Sequence, residues 1–213
     1  EGDNAFARKD YPAALAAFEH AHKLQPSGAL LVRQLQVFNA TQRTEEGEKR
    51  LSRWVDTHPQ DISTRAVLAE SLIQRKQYAA AAEHYLILNK SNPGNLLILN
   101  NLAWALSELN DKRAISFAEQ ALKLHPENPM VMDTYGWILT HQGQPSKGIP
   151  LLRKALSKAP DNPEIHWHLV SALHGSGDIK RALQELSTLL DRGIPFAAEP
   201  EARKLHQQLT TGQ

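Results

Sequence analysis

Apolar residues recur along most of the chain at spacings of three and four, which is the period of an α-helix with one buried face. Each segment with this pattern, such as RAISFAEQALKLH at residues 113–125, stops at or just before a proline. These prolines are spaced 33, 34, 33 and 34 residues apart: Pro26, Pro59, Pro93, Pro126 and Pro160. Since proline disfavours continuation of a helix, each one marks a helix boundary. The pattern therefore predicts a series of helical hairpins with two helices between successive prolines.

Small residues recur in the same frame, and a larger apolar residue often follows four positions later. The small positions are Ala14, Gly47, Ala81, Ala114, Gly148 and Ala182. A small side chain lets two helices approach closely, and the residue one turn later fills the space beside it. Gly143 and Gly177 mark the turn inside two hairpins, and Asn110–Asp111 and Lys76–Gln77 stand at the equivalent place in two others.

The period and pattern resemble the tetratricopeptide repeat, a helical hairpin of 34 residues with the signature W-x2-L-G-x2-Y…A-x3-F…P. The fifth unit carries the frame as Met132, Tyr135-Gly136, Leu139, Gly148, Leu152, Ala155 and Pro160. The resemblance covers residues 1–192 and implies an all-α fold, a right-handed superhelical solenoid of about 5.5 hairpins with a C-terminal capping helix. One hairpin cannot bury its apolar face alone, so neighbouring hairpins stack.

The predicted units are a partial repeat at 1–26, repeats at 27–59, 60–93, 94–126, 127–160 and 161–192, and a linker with a capping helix at 193–213. Within the last segment, PEARKLHQQL at 200–209 places Leu205 and Leu209 on one face and charges on the other. The first unit begins midway along its first helix, and no initiator Met is present. We expect the chain to be a piece of a longer protein.

Two tryptophans stand 33 residues apart in equivalent first helices, within NNLAWAL and DTYGWIL. Successive helical residues turn by about 100°, which places Trp104 and Trp137 opposite the packing face. In tetratricopeptide arrays that side of the first helix lines a concave groove, where peptides or partner helices bind. The predicted ligand-binding residues share this side of their helices: Asn100, Asn101, Trp104, Glu108, Asp133, Thr134, Trp137, His141, Trp167 and His168.

Two interpretations of these tryptophans stay open, contact with a ligand and packing against the next helix of the groove wall. Exposed aromatic residues rimmed by polar groups mark binding sites. Asn100 and Asn101 are the best polar candidates, because an amide can donate to and accept from a peptide backbone. Trp54, in contrast, occupies a packing position of a second helix, and we expect it in the core.

The composition of the chain mainly argues against certain partners and certain kinds of site. The net charge is +1 and no run of Lys or Arg exists, which argues against nucleic acid as a partner. The chain has no cysteine, and its ten histidines include no His-Glu-x-x-His and no His-x3-His pair. No phosphate-binding glycine loop or nucleophile elbow occurs either. We predict no metal, no cofactor, no catalytic residue and no enzymatic activity.

A narrower resemblance covers residues 95–192. The pieces NNLAW, D-x-x-G-W and A-P-D-N-P-E-I-x-x-H-L are similar to the C-terminal repeats of bacterial tetratricopeptide lipoproteins associated with PEP-CTERM/exosortase and exopolysaccharide systems. The resemblance implies a periplasm-facing envelope location, with the cytoplasm as the alternative. It also implies a lipid anchor upstream of this chain, which would be the only link to a membrane.

Three functions follow as hypotheses. The first is a non-catalytic scaffold that binds a peptide or partner protein in the groove, in an envelope sorting or exopolysaccharide system. The second is a carbohydrate-handling module that stacks sugars on the groove tryptophans. The third is a regulatory repeat region of a larger enzyme. No oligomeric state is predicted.

Overall fold

The computed structural model describes residues 1–211, and that part of the chain is entirely helical, which confirms the all-α prediction. The last two residues of the predicted 193–213 segment lie outside the described residues. The helices are α1 Gly2–Ala7, α2 Tyr11–Leu24, α3 Gly28–Ala40, α4 Thr44–Thr57, α5 Ile62–Gln74, α6 Tyr78–Ser91, α7 Leu96–Glu108, α8 Arg113–Leu124, α9 Pro129–His141, α10 Pro145–Lys158, α11 Pro163–Gly175, α12 Ile179–Asp191 and α13 Glu199–Thr211.

The chain forms two compact units. The first unit, Glu1–Pro93, contains α1 to α6, and the second, from Gly94 onward, contains α7 to α13. Consecutive helices pack as antiparallel neighbours within each unit. All five repeat-spaced prolines fall between helices, where the pattern places them. The predicted residue limits of the individual repeats stay a prediction.

The turn inside each hairpin has a left-handed residue, and these residues are themselves spaced 33 or 34 apart. Their φ angles lie between 55° and 85°, at Lys9, Gln42, Lys76, Asn110, Gly143 and Gly177. A single residue with positive φ ends a helix and reverses the chain within a few residues. Only two of the six are glycine, although glycine adopts this conformation at the lowest cost.

Asparagine or aspartate side chains cap the start of six helices of the described chain: α2, α5, α7, α9, α11 and α12. Asn95 accepts a hydrogen bond from the Ile98 amide, and Asn128 and Asn162 each accept from two amides of the following turn. Each cap satisfies donors that the first turn of a helix leaves unpaired. The loop between hairpins therefore combines a proline that ends one helix with a side chain that starts the next.

The closest helix approach in the second unit joins α9 and α10. A Cβ atom on Gly148 would clash with the carbonyl oxygen of Gly136, and a Cβ on Gly136 would lie 2.8 Å from Leu152 Cγ. The glycines thus bring the two backbones together, as the small-residue pattern predicts. Leu152 is fully buried beside them. This packing fixes which side of α9 faces the core and which side faces outward.

Candidate functional site

An aromatic cluster lies on the side of α7, α9 and α11 that faces away from their hairpin partners. We call it the aromatic column, and it consists of Trp104, Trp137, His141 and His168. The ring centroids of Trp104 and Trp137 are 6.2 Å apart with an interplanar angle of 25°. His168 lies 4.3 Å from Trp137 and 5.8 Å from Trp104, and His141 lies 3.8 Å from Trp137. Three successive first helices therefore contribute rings to one surface.

The helical period explains why the rings gather there. On the opposite side of these helices, Ala103, Gly136 and Leu169 are buried against the second helices. Trp104 and Trp137 follow Ala103 and Gly136 by one residue, about 100° around the helix, and so leave the packed face. Both indoles are half-buried, because each covers part of the other.

A hydrogen-bonded pair supports the column from one side. His168 donates from Nδ1 to the carboxylate of Asp133, at 2.9 Å from both oxygens. The two side chains are 13% and 11% exposed, so the pair is nearly buried. It joins α11 to α9 and fixes the His168 ring against Trp137. Fixed ring orientation is what a preorganised binding surface requires.

The other predicted site residues are divided between core and surface. Asn100 and Thr134 are 5% and 4% exposed, and Asn101 is half-buried. The buried Oδ1 atom of Asn100 accepts no hydrogen bond within residues 1–211. Glu108 and His141 are exposed. Burial leaves Asn100 and Thr134 little surface for a ligand, and ligand contact by the predicted site residues stays a prediction.

Trp167 belongs to a different cluster. Its ring lies 6.5 Å from that of Phe196, and it packs with Val170, Leu186 and Ala202 beneath α13. Helix periodicity places Trp167 on the same face as Trp104 and Trp137, but the segment after α12 folds back and packs against it. Trp167 therefore helps to attach the C-terminal helix.

Trp54 corrects a second expectation, because it is half-buried and lines two cavities of the first unit. Its indole N–H donates to Asp61 Oδ2 at 2.7 Å, and its ring stacks on His58 with centroids 3.7 Å apart. Gly28 makes room for this arrangement, since a Cβ there would clash with Asp61 and with Thr64. One signal of this difference is visible in the sequence, because a tryptophan stands where equivalent helices carry Leu or Ala.

The Asp61 carboxylate is the most strongly hydrogen-bonded acid of this region. Burial raises its pKa, but hydrogen bonds from the Thr64 amide, the Thr64 hydroxyl and the Trp54 indole outweigh burial. The pKa of Asp61 consequently lies below its ordinary value of 3.8. Asp61 also caps the N-terminus of α5, so one carboxylate fixes both a helix start and an indole.

Residues 1–211 contain no cluster of three His, Asp or Glu side chains placed to hold a metal ion. Within the same residues no helix has the length and apolar character needed to cross a membrane.

Residues 139–209 match the family model of the tetratricopeptide repeat. The chain is similar to the TPR repeat-containing protein PA4667 of Pseudomonas aeruginosa, at 26% identity over 73% of this chain and 27% of that protein. It is also similar to tetratricopeptide repeat protein 21A of Mus musculus, at 25% identity over 72% of this chain and 12% of that protein. The chain thus spans less than a third of either relative.

The fold is similar to that of a solved tetratricopeptide repeat protein from Parabacteroides merdae. The TM-score is 0.85 at 14% identity, and the match covers 100% of this chain and 84% of the other. The spacing of prolines and turns along the chain, the family match over residues 139–209 and the fold are all similar to those of tetratricopeptide repeat proteins.

Proposed function

We propose that the chain is a non-catalytic scaffold that binds a peptide segment of a partner protein on the aromatic column. The tetratricopeptide fold is typical of protein–protein interaction scaffolds, and proteins of this kind are generally non-catalytic. The observation that carries the proposal is the column itself: two half-buried indoles and two imidazoles on one surface, held by the Asp133–His168 pair. Tryptophan is enriched among residues that dominate binding energy.

Peptide fits this surface better than carbohydrate. A sugar ring stacks on an uncovered aromatic face, but His141 and His168 lie within 3.8 and 4.3 Å of the Trp137 ring. The two imidazoles therefore lie where a sugar ring would have to stack. The exposed edges of the column and the exposed Glu108 suit a peptide with both apolar and polar side chains.

The envelope location belongs to the same proposal and rests on the narrower resemblance. In that setting the chain would hold a partner of a sorting or exopolysaccharide system next to the membrane, through a lipid anchor elsewhere in the full-length protein. A regulatory role within a larger enzyme is the alternative.

The test selects peptides from a displayed random library on the full chain and measures the affinity of the selected synthetic peptides. We expect Trp104→Ala with Trp137→Ala to weaken binding by at least about tenfold, since each truncation of a central aromatic residue costs 1–2 kcal/mol or more. Trp54→Leu is the matched control, because it removes a half-buried tryptophan outside the column. Circular dichroism checks that both variants keep their helices.

Three results would overturn the proposal. Equal peptide affinity of the double variant and the wild type, with both folded, would leave the column a packing feature. An equal loss with Trp54→Leu would place the peptide elsewhere. Selection of no peptide, combined with oligosaccharide binding that the double variant loses, would establish the carbohydrate module instead.

A further inference from the structure

A second surface with the features of a binding site belongs to the first unit, whereas the aromatic column belongs to the second. It is a cleft of about 630 Å³ between α2 and α4, with α3 as its floor. We call it the Trp54 cleft, and its lining residues are Glu19, His22, Lys23, Leu31, Gln34, Arg50, Arg53, Trp54 and Thr57. Its volume lies within the range of ordinary ligand pockets, about 300–1,000 Å³.

The cleft arises from two departures from the repeat pattern. Gln34 occupies the position that Leu68, Leu102 and Leu169 hold in other repeats, where these leucines are 0–1% exposed. Trp54 occupies the position of the buried Leu88 and Leu189. The indole turns aside toward Asp61, and Gln34 accepts a hydrogen bond from Arg50 at 2.6 Å. Polar and aromatic groups thus replace the hydrophobic filling.

The positive charge of the cleft is only partly neutralised. Arg50 pairs with Glu19 at 2.7 Å. Lys23 and Arg53 are exposed and form no ion pair within residues 1–211. Glu19 is the only acid in the lining, against Lys23, Arg50 and Arg53. The cleft therefore presents two free cations beside an indole.

An equivalent cleft of the second unit shows that this imbalance is not a property of the fold. It lies between α10 and α12 over α11, and its central pair has the opposite polarity: Arg153 stands where Glu19 does, and Glu185 where Arg50 does. Its remaining cation, Arg192, pairs with Asp161 at 2.7 Å. The positions of Lys23 and Arg53 are taken by neutral Ser157 and Thr188.

We propose that the Trp54 cleft binds a short acidic segment of a partner protein, with carboxylates against Lys23 and Arg53 and an apolar side chain against Trp54. Charge complementarity selects the acidic segment, because two unpaired cations converge on a cavity with one acid that is already engaged. The indole and the buried Leu31 supply the apolar surface that a free anion would not use. The site is independent of the aromatic column.

The experiment measures binding of a fluorescein-labelled octapeptide of alternating glutamate and phenylalanine to the full chain, by fluorescence anisotropy at near-physiological salt. The same peptide with glutamine in place of glutamate serves as the neutral probe. Lys23→Gln with Arg53→Gln removes the two cations and should not affect folding, since neither side chain has a partner. Lys180→Gln with Lys204→Gln is the matched control, because it removes the same charge from exposed, unpaired positions of the second unit.

We expect Lys23→Gln with Arg53→Gln to weaken binding of the acidic peptide about five- to tenfold, with little change for the control pair. Trp54→Leu should weaken it further, whereas Trp104→Ala with Trp137→Ala should leave it unchanged, which separates this site from the aromatic column. Equal weakening by the control pair would reduce the effect to net charge and overturn the proposal. It would also be overturned if the glutamine peptide bound as tightly, if inorganic phosphate alone displaced the peptide, or if the wild type did not bind.

Discussion

Trp54 and Trp137 begin the same short motif in two different helices, and the neighbours of the two motifs differ. The sequences are WVDTH at 54–58 and WILTH at 137–141. In both, the histidine ring lies against the tryptophan one turn earlier, with centroids 3.7 and 3.8 Å apart; the ring planes are parallel within 7° in the first pair and tilted by 37° in the second. In both, that histidine also donates to the tryptophan carbonyl oxygen, at 3.1 and 3.0 Å. The local geometry is therefore set within five residues.

The surroundings of the two motifs are set by the helix that carries them. Trp137 is on a first helix, so its indole meets Trp104 and His168 from the neighbouring first helices. Trp54 is on a second helix and reaches past Gly28 to the carboxylate of Asp61. The motif therefore determines the contact between a tryptophan and its own histidine, whereas the position of the helix in the repeat determines which other residues the indole contacts.

The largest effect is expected when a substitution fills the space beside the Trp54 indole. Gly28→Ala places a methyl group against Asp61, Thr64 and the indole nitrogen, and we expect the free energy of unfolding to fall by about 2–3 kcal/mol. Urea unfolding followed by circular dichroism measures it. Gly175→Ala is the control, since a Cβ there meets nothing within 4 Å. Equal stability of Gly28→Ala and wild type would mean that the indole can leave without cost.

The next largest effect is expected from removing the Asp61 carboxylate. Asp61→Ala removes the cap of α5 and the indole acceptor, and should lower the free energy of unfolding by about 1–2 kcal/mol. Because the pKa of Asp61 is below 3.8 in the folded chain, its contribution is present above that pH and is lost as the pH falls through the lowered pKa. Asp61→Asn should lack this acid-dependent part in urea titrations over the same pH range. An unchanged acid dependence in Asp61→Asn would assign the effect to other carboxylates.

A smaller effect concerns the hydrogen-bonded pair that lies beside the second-unit motif. The Asp133–His168 hydrogen bond should show a coupling of about 1 kcal/mol in a double-mutant cycle of Asp133→Asn and His168→Gln. The readout is the free energy of unfolding of the four proteins. Additive losses would mean that the pair does not hold the column. A matched cycle on Lys147 and Gln144, an exposed contact, should give a coupling near zero.

The smallest effect is expected from removing the histidine of each motif, which allows the two motifs to be compared directly. His58→Ala and His141→Ala each remove an exposed imidazole that lies against the tryptophan of its own helix. Each should lower the free energy of unfolding by about 0.5 kcal/mol. Both are measured by urea unfolding. Because the contact is local, the two losses should agree. A loss at His141 several times that at His58 would show that the column adds to the stacking.

Local and periodic features were predictable from the sequence. Proline spacing gave the helix boundaries, and the turn positions around Gly143, Gly177, Asn110 and Lys76 coincide with residues of positive φ. The small-residue positions are buried, with Ala81 and Ala114 fully covered. These features repeat, so each unit provides evidence for the others.

Features that depend on one departure from the pattern were not predictable. The repeat position of Trp54 indicates a core residue, and only the glycine at position 28 and the acid at position 61 together redirect the indole. The packing of Trp167 against Phe196 was not predictable, because the segment carrying Phe196 is not a repeat and has no periodicity to follow. Asn100 shares a helix face with Trp104, but whether a neighbour covers it depends on the side chains packed around it, which helix periodicity does not give.

The reversed polarity of the Glu19–Arg50 and Arg153–Glu185 pairs has a consequence for how the chain folds. Similar repeats in one polypeptide can dock onto the wrong neighbour, which is a characteristic failure of repeat proteins. If α2 packed in place of α10 beside α12, Glu19 would face Glu185. If α10 packed in place of α2 beside α4, Arg153 would face Arg50. Repulsion between like charges disfavours both wrong packings. The two oppositely oriented pairs therefore favour packing of each helix against its own neighbour during folding.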